Sequence, residues 1–161
     1  MLDRPDYLKR LATAINRSPI TALLGPRQCG KTTLARMFSA GRQAAWFDLE
    51  SPVDQQRLQN PELMLGGLRG LVVLDEIQTL PALFKALRVL ADRPDQPARF
   101  LILGSASPIL IRNAAETLAG RVEFVELSGF DLRETGGDAW RTLWVRGGFP
   151  RAFLAASDED S

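Results

Sequence analysis

Histidine is absent from these 161 residues, and Cys29 is the only cysteine. Imidazoles and thiolates are the usual zinc ligands, and a disulfide needs two thiols. A zinc site and a disulfide framework are therefore both excluded within the chain. That thiol poverty suits a reducing cytoplasm, which is the expected compartment. No apolar run approaches the roughly 20 residues of a membrane span, and the first residues carry no apolar signal region. A large charge of one sign is missing too: 20 Lys and Arg against 19 Asp and Glu leave +1. This chain therefore gives no sign of the electrostatic footprint of a nucleic-acid-binding surface. Arginine far outnumbers lysine, which reads as compositional bias rather than a functional patch. What the chain does have is apolar mass, 45% of residues, enough to core a domain of this length. Residues 1–161 read as one domain.

Five apolar runs alternate with helical patterns, which predicts an α/β fold with a parallel sheet and crossover helices. Tyr7, Leu11 and Ile15 at i, i+4 spacing predict a helix over about Asp6–Asn16. Strands are predicted at Ile20–Leu24, Ala44–Leu49, Leu71–Asp75, Phe100–Gly104 and Val122–Leu127. Between them, helices are expected from the end of residues 25–33 to Ser39, from Pro52 towards Leu58, and over Pro81–Ala91. Ser51-Pro52-Val53-Asp54 resembles a capping box, Gly66-Gly67 marks a break, and Asp92-Arg93-Pro94-Asp95-Gln96-Pro97 reads as a turn. Ser107-Pro108 caps one more helix, which Gly120 ends. Beyond Leu127 the pattern weakens, and residues 136–161 read as a helical or linker segment.

Residues 25–33, Gly25-Pro26-Arg27-Gln28-Cys29-Gly30-Lys31-Thr32-Thr33, match G-x-x-x-x-G-K-[ST] directly after the first strand. A strand delivering the loop and a helix leaving it aim backbone N–H groups and a helix N-terminus at an anion. All nine are candidate nucleotide contacts. Gly25 is expected to permit the sharp turn out of the strand, and Gly30 to let the backbone approach the phosphates. Lys31 is placed to reach the β- and γ-phosphates of ATP, and the Thr32 hydroxyl to ligate Mg²⁺. Inside the loop, Arg27 either touches phosphate or points to solvent. Cys29 is either an oxidation-sensitive thiol with its pKa lowered by the helix N-terminus or simply a small tolerated side chain.

Leu71-Val72-Val73-Leu74-Asp75-Glu76 is the second signal. Four apolar residues bury a strand on both faces, and two acids follow at its C-terminal end, where ligands of open α/β sheets bind. Asp75 is the candidate for the Mg²⁺ shell. Glu76 is the candidate base that polarises the water attacking the γ-phosphate. Gln78 either orients water, reads nucleotide state or caps a helix. If the fourth strand lies between the first and third, Ser105 falls between the phosphate loop and Glu76 and can bond phosphate or water; Ser107 reads as an N-cap. Arg121 either reaches a γ-phosphate, in its own subunit or a neighbour, or serves as a helix-end cation. Asp48 and Glu50 read as solvated residues at a sheet edge far from the phosphates.

The loop, Leu74-Asp75-Glu76-Ile77-Gln78, Gly104-Ser105-Ala106-Ser107, Leu118-Ala119-Gly120-Arg121 and Gly147-Gly148-Phe149-Pro150 together resemble the AAA-type ATP-binding proteins of bacteria and archaea. In that family a P-loop domain carrying Walker A and Walker B patterns precedes a C-terminal domain of unknown function. The resemblance implies a three-layer P-loop NTPase with a five-stranded sheet in the order 5-1-4-3-2, helices on both faces, and a catalytic glutamate. Cys29 departs from it, standing where the family usually has a small aliphatic residue. No second domain appears before Ser161, so a fragment, a truncated gene or a separate subunit is expected. The resulting expectation is a Mg²⁺-dependent ATPase coupled to a protein partner or following domain, with oligomerisation possible in the full-length context. The alternatives are a nucleotide switch with negligible turnover, or a small-molecule kinase with Arg141 and Arg146 in a lid.

Overall fold

The computed structural model describes residues 2–94 and 98–161. The chain opens with α1 (Pro5–Arg17), β1 (Ile20–Gly25), α2 (Lys31–Ser39) and β2 (Ala44–Asp48). Then come α3 (Pro52–Arg57), α4 (Pro61–Gly66), β3 (Gly70–Asp75), a 3₁₀ turn (Ile77–Thr79) and α5 (Leu83–Ala91). The sheet is completed by β4 (Ala98–Ser105), α6 (Pro108–Thr117) and β5 (Val122–Glu126). Three short helices end the chain: α7 (Leu132–Thr135), α8 (Trp140–Arg146) and α9 (Pro150–Phe153). The expected Asp92–Pro97 turn is seen through Pro94; Asp95, Gln96 and Pro97 lie outside the described residues.

The strands pair in parallel in the order β2-β3-β4-β1-β5, which is the implied 5-1-4-3-2 read from the other edge. Side chains alternate across a strand, so each run of β-branched and leucine residues feeds two cores at once. Ile20, Ala22, Leu24, Val72, Leu74, Phe100 and Ile102 pack on one face against Leu65 of α4, Leu83 and Leu87 of α5 and Leu110 of α6. Leu23, Val73, Leu101, Leu103 and Val125 pack on the other against Leu11 of α1 and Leu34 and Phe38 of α2. Two apolar layers thus clamp the sheet, and each fully buried leucine contributes about 1.5–3 kcal/mol. Because every strand runs the same way, the C-terminal ends Gly25, Asp48, Asp75 and Ser105 meet along one edge.

One local expectation is corrected. Ser51 makes no capping bond; Asp54 instead accepts from the Asp48 N–H at 3.0 Å and from Arg57 at 2.9 Å. The capping box that does form lies later, between Asp131 and Glu134 at α7. Ser107 caps α6 as expected, its hydroxyl accepting from the Leu110 N–H at 3.2 Å.

Candidate functional site

The phosphate loop leaves β1, an interior strand with the central β4 on one side and the edge strand β5 on the other. Gly25 does not supply the sharp turn expected of it; of the two loop glycines, the positive φ falls on Gly30. Gly25 has no positive φ; a Cβ there would lie 2.2 Å from the Leu127 carbonyl oxygen and 2.8 Å from Cys29 Sγ. Close approach, not a turn, requires that glycine. Gly30 has φ +96° and a Cβ would find only Pro150 Cγ at 3.7 Å. It supplies the left-handed turn into α2. Lys31 is buried, and its Nζ donates to the carbonyls of Gly25 at 3.1 Å and Pro26 at 2.9 Å. Pro26, Arg27, Gln28 and Thr33 are exposed. Cys29 is fully buried, and burial pushes its thiol pKa up, which removes the activated-thiol reading.

The second motif closes against the first. Thr32 Oγ1 donates to Asp75 Oδ2 at 2.8 Å, and the Glu76 N–H donates to Asp75 Oδ1 at 3.0 Å. Burial raises the pKa of the Asp75 carboxyl, with the charges of Glu76 and Asp48 adding to the rise and the Thr32 bond opposing it. Glu76 stands in the left-handed region at φ 56°, an uncommon place for a side chain of this size. Gln78 Nε2 donates to Glu76 Oε2, and Gln78 Oε1 accepts from the Ser105 N–H at 3.3 Å. A chain of contacts therefore runs from Glu76 through Gln78 to the end of β4. Since β4 does lie between β3 and β1, Ser105 stands opposite Gly25 in register.

Asp48 is not far from this centre. It faces Asp75 across β2 and β3, and with Glu50 it lines the same open cleft as Thr32, Arg36, Asp75 and Glu76. Both are exposed, as expected. Arg121 moves the other way. It precedes β5, and its carbonyl accepts from the Ile20 N–H at the opposite end of the sheet from the loop. At ~3.3 Å per residue along β1 it sits roughly 17 Å from Gly25, and its guanidinium bonds Asp92 at 2.5 and 2.9 Å. Contact with a nucleotide in its own subunit is thereby ruled out. Arg146 bonds Asp158 and the Ala155 carbonyl, each at 2.5 Å, while Arg141 is exposed.

On the other side of Gly30 an apolar cavity of about 160 Å³ is lined by Leu2, Thr33, Met37, Phe130, Pro150 and Leu154. Thr33 and Pro150 fall in motifs the sequence shows, but nothing local marks Leu2, Met37, Phe130 or Leu154 as their neighbours. Arg4 was likewise unforeseen: it is buried beside the loop and pairs with Glu134. Among the described residues no group of three His, Cys, Asp or Glu side chains gathers to hold a metal. Mg²⁺ is ordinarily held by one or two protein oxygens together with substrate phosphates and waters, and the Thr32–Asp75 pair fits that pattern. No helix among the described residues is long and apolar enough to cross a membrane.

Uncharacterized proteins of Mycobacterium tuberculosis and Mycobacterium bovis are each 54% identical over the whole chain, which spans 36% of their length. The Walker-type ATPase of Pyrococcus abyssi superposes with a TM-score of 0.70 at 18% identity, covering 96% of this chain and 66% of that one. A DNA replication initiation factor gives a TM-score of 0.51 at 13% identity, covering 87% of this chain and 49% of that one. The P-loop NTPase domain of an E. coli sigma-54 transport activator gives 0.50 at 16% identity, covering 81% of this chain and all of that one. These likenesses give the fold, a P-loop NTPase. The family profile described as AAA domain matches residues 17–136, three-quarters of the sequence, and the chain belongs to that family of nucleotide-binding domains.

Proposed function

We propose that the chain binds ATP with Mg²⁺ in the cytoplasm and hydrolyses it, coupling nucleotide state to the conformation of a protein partner or following domain. The observation that carries this reading is the 2.8 Å bond between Thr32 and Asp75, with Glu76 next in the chain. It brings the two cation ligands together beside the loop lysine. When bound, Mg²⁺ supplies charge neutralisation across the β- and γ-phosphates. Lys31 exchanges its two loop carbonyls for phosphate oxygens. The N–H groups of Gly30–Thr33 receive the β-phosphate at the start of α2. Glu76 accepts a proton from water as the water oxygen bonds to the γ-phosphorus and the bond to the ADP oxygen breaks. The Ser105 hydroxyl, opposite Gly25, donates to the γ-phosphate or the attacking water. The adenine enters the apolar cavity beyond Gly30, whose lining of Met37, Pro150 and Leu154 suits a flat aromatic base. Arg121, facing away from its own loop, acts across a subunit interface. Residues 1–161 form the ATPase domain and residues 136–161 the helical link onward.

One observation favours a second reading, a switch with negligible turnover: Gln78 already engages the Glu76 carboxylate. Single-turnover hydrolysis decides between the two. Under the ATPase reading Lys31→Ala loses most ATP affinity with its circular dichroism unchanged. Glu76→Gln binds ATP normally but hydrolyses it slowly, because an amide cannot accept the proton. Equal hydrolysis by wild type and Glu76→Gln removes Glu76 from the mechanism, and establishes the switch where both rates are negligible. The kinase alternative lacks its lid, since Arg146 is committed to Asp158 and the Ala155 carbonyl.

A further inference from the structure

Arg4 joins three parts of the chain that are far apart in sequence. Its Nη1 donates to the Cys29 carbonyl of the phosphate loop at 3.3 Å. Its Nη2 donates to the carbonyls of Ser128 at 3.1 Å and Gly129 at 3.4 Å, just after β5. The guanidinium also forks onto Glu134, Nε to Oε1 at 2.5 Å and Nη2 to Oε2 at 2.8 Å. Tyr7 and Phe130 face it with ring centroids at 4.5 and 5.0 Å. The two charged side chains are 5% and 10% exposed.

Stability alone is a poor account of such a pair. A well-packed apolar replacement of a buried ion pair is often neutral or stabilising. Geometry gives a better one. The peptide between Cys29 and Gly30 is planar and trans, so its C=O and N–H point in opposite directions. Holding the carbonyl on Arg4 turns the Gly30 N–H the other way. A charged donor on the carbonyl also polarises that peptide and strengthens its N–H as a donor. We propose that Arg4 is a positioning residue for the phosphate loop: it pre-aims the Gly30 N–H at bound phosphate, and residues 128–134 set that aim through Glu134. The inference rests on the nucleotide-binding reading above.

The test uses Arg4→Lys, which keeps the charge but not the fork, and the double variant Arg4→Met with Glu134→Leu, which leaves no unpaired charge. ATP affinity is measured by titration calorimetry well below the melting temperature, with Lys31→Ala as control. A charged hydrogen bond contributes enough that its loss weakens ATP binding by about tenfold or more in both variants. The double variant also loses the α7 capping box and the donor to three carbonyls, so its affinity is read on protein shown folded by circular dichroism at the titration temperature. ATP affinity restored by the apolar pair, or unchanged in folded Arg4→Lys, overturns the proposal and leaves Arg4 as packing alone. Should Lys31→Ala itself bind ATP like wild type, the nucleotide-binding reading fails, and the positioning role fails with it.

Discussion

Replacing Gly25 by alanine tests the claim that this glycine is required by proximity. The added carbon would lie 2.2 Å from the Leu127 oxygen and 2.8 Å from Cys29 Sγ, against a floor of 3.0 Å for real Cβ contacts. The sulfur can yield by a few tenths of an ångström, but the oxygen belongs to a backbone that cannot rotate away. The Leu127 N–H bonds the Leu24 carbonyl at 2.7 Å, so relieving a gap of nearly 1 Å means pulling the end of β5 from β1. Overpacking in a well-packed interior costs about 1–3 kcal/mol, and breaking that bond about 1 kcal/mol more. At about 2–4 °C per kcal/mol for a chain of this size, the variant should melt roughly 5–15 °C lower. Gly30→Ala is the comparison. It meets no close atom, so only the left-handed backbone penalty of about 1–2 kcal/mol applies, a loss of roughly 2–8 °C. Thermal melts followed by circular dichroism measure both. Gly25→Ala melting within a degree or two of wild type, or above Gly30→Ala, would refute the reasoning.

Asp75→Asn should trade function for stability. Its raised carboxyl pKa means the protonated form is favoured in the folded state. That contribution is complete below the ordinary carboxylate range and is lost as pH rises through the raised value. Without Mg²⁺ the asparagine variant should therefore outlast wild type in urea at pH 7, with the gap closing as pH falls below about 4; a gap that widens in acid contradicts the assigned cause. Arg121→Ala should leave ATP affinity unchanged, since the side chain lies at the far end of the sheet. If the residue acts in trans, hydrolysis per subunit rises with protein concentration in wild type and not in the variant. Fingers of this kind contribute on the order of 10³–10⁵ in rate, and identical turnover at every concentration reduces Arg121 to its pair with Asp92. Thr21→Val should stabilise by about 1–2 kcal/mol, because the Thr21 hydroxyl is fully buried with no hydrogen-bond partner among the described residues; a lower urea midpoint would mean that the hydroxyl is satisfied.

The phosphate loop, the paired acids and all five strands were legible because each is a local pattern: a glycine spacing, an apolar run, an acid at its end. Helix α4 was not, since Pro61–Gly66 is barely two turns and buries only Leu65, too little for a periodic stripe. The capping box at Ser51 failed because Asp54 found better partners in the Asp48 N–H and Arg57. Arg4 and Glu134 stand 130 residues apart, and no window of sequence shows that they meet. Asp48 was placed correctly at an edge, yet strand pairing sets that edge beside Asp75. The expectation that Arg121 can reach phosphate in its own subunit failed because a residue preceding a parallel strand lies at the sheet edge opposite the phosphate loop, a consequence of the parallel order that was itself legible.

The grip of Lys31 on the Gly25 and Pro26 carbonyls has a thermodynamic consequence. Lys31 is 5% exposed and its ammonium bonds two loop oxygens, so the loop leaves no buried charge without a hydrogen-bond partner. Under the proposed function, nucleotide arrival is a ligand exchange at the lysine rather than the capture of a free cation. Its enthalpy is a difference between two sets of bonds, which should make binding heats modest even where affinity is high. The domain should accordingly fold without ATP, with a place for phosphate that costs little to keep and little to vacate.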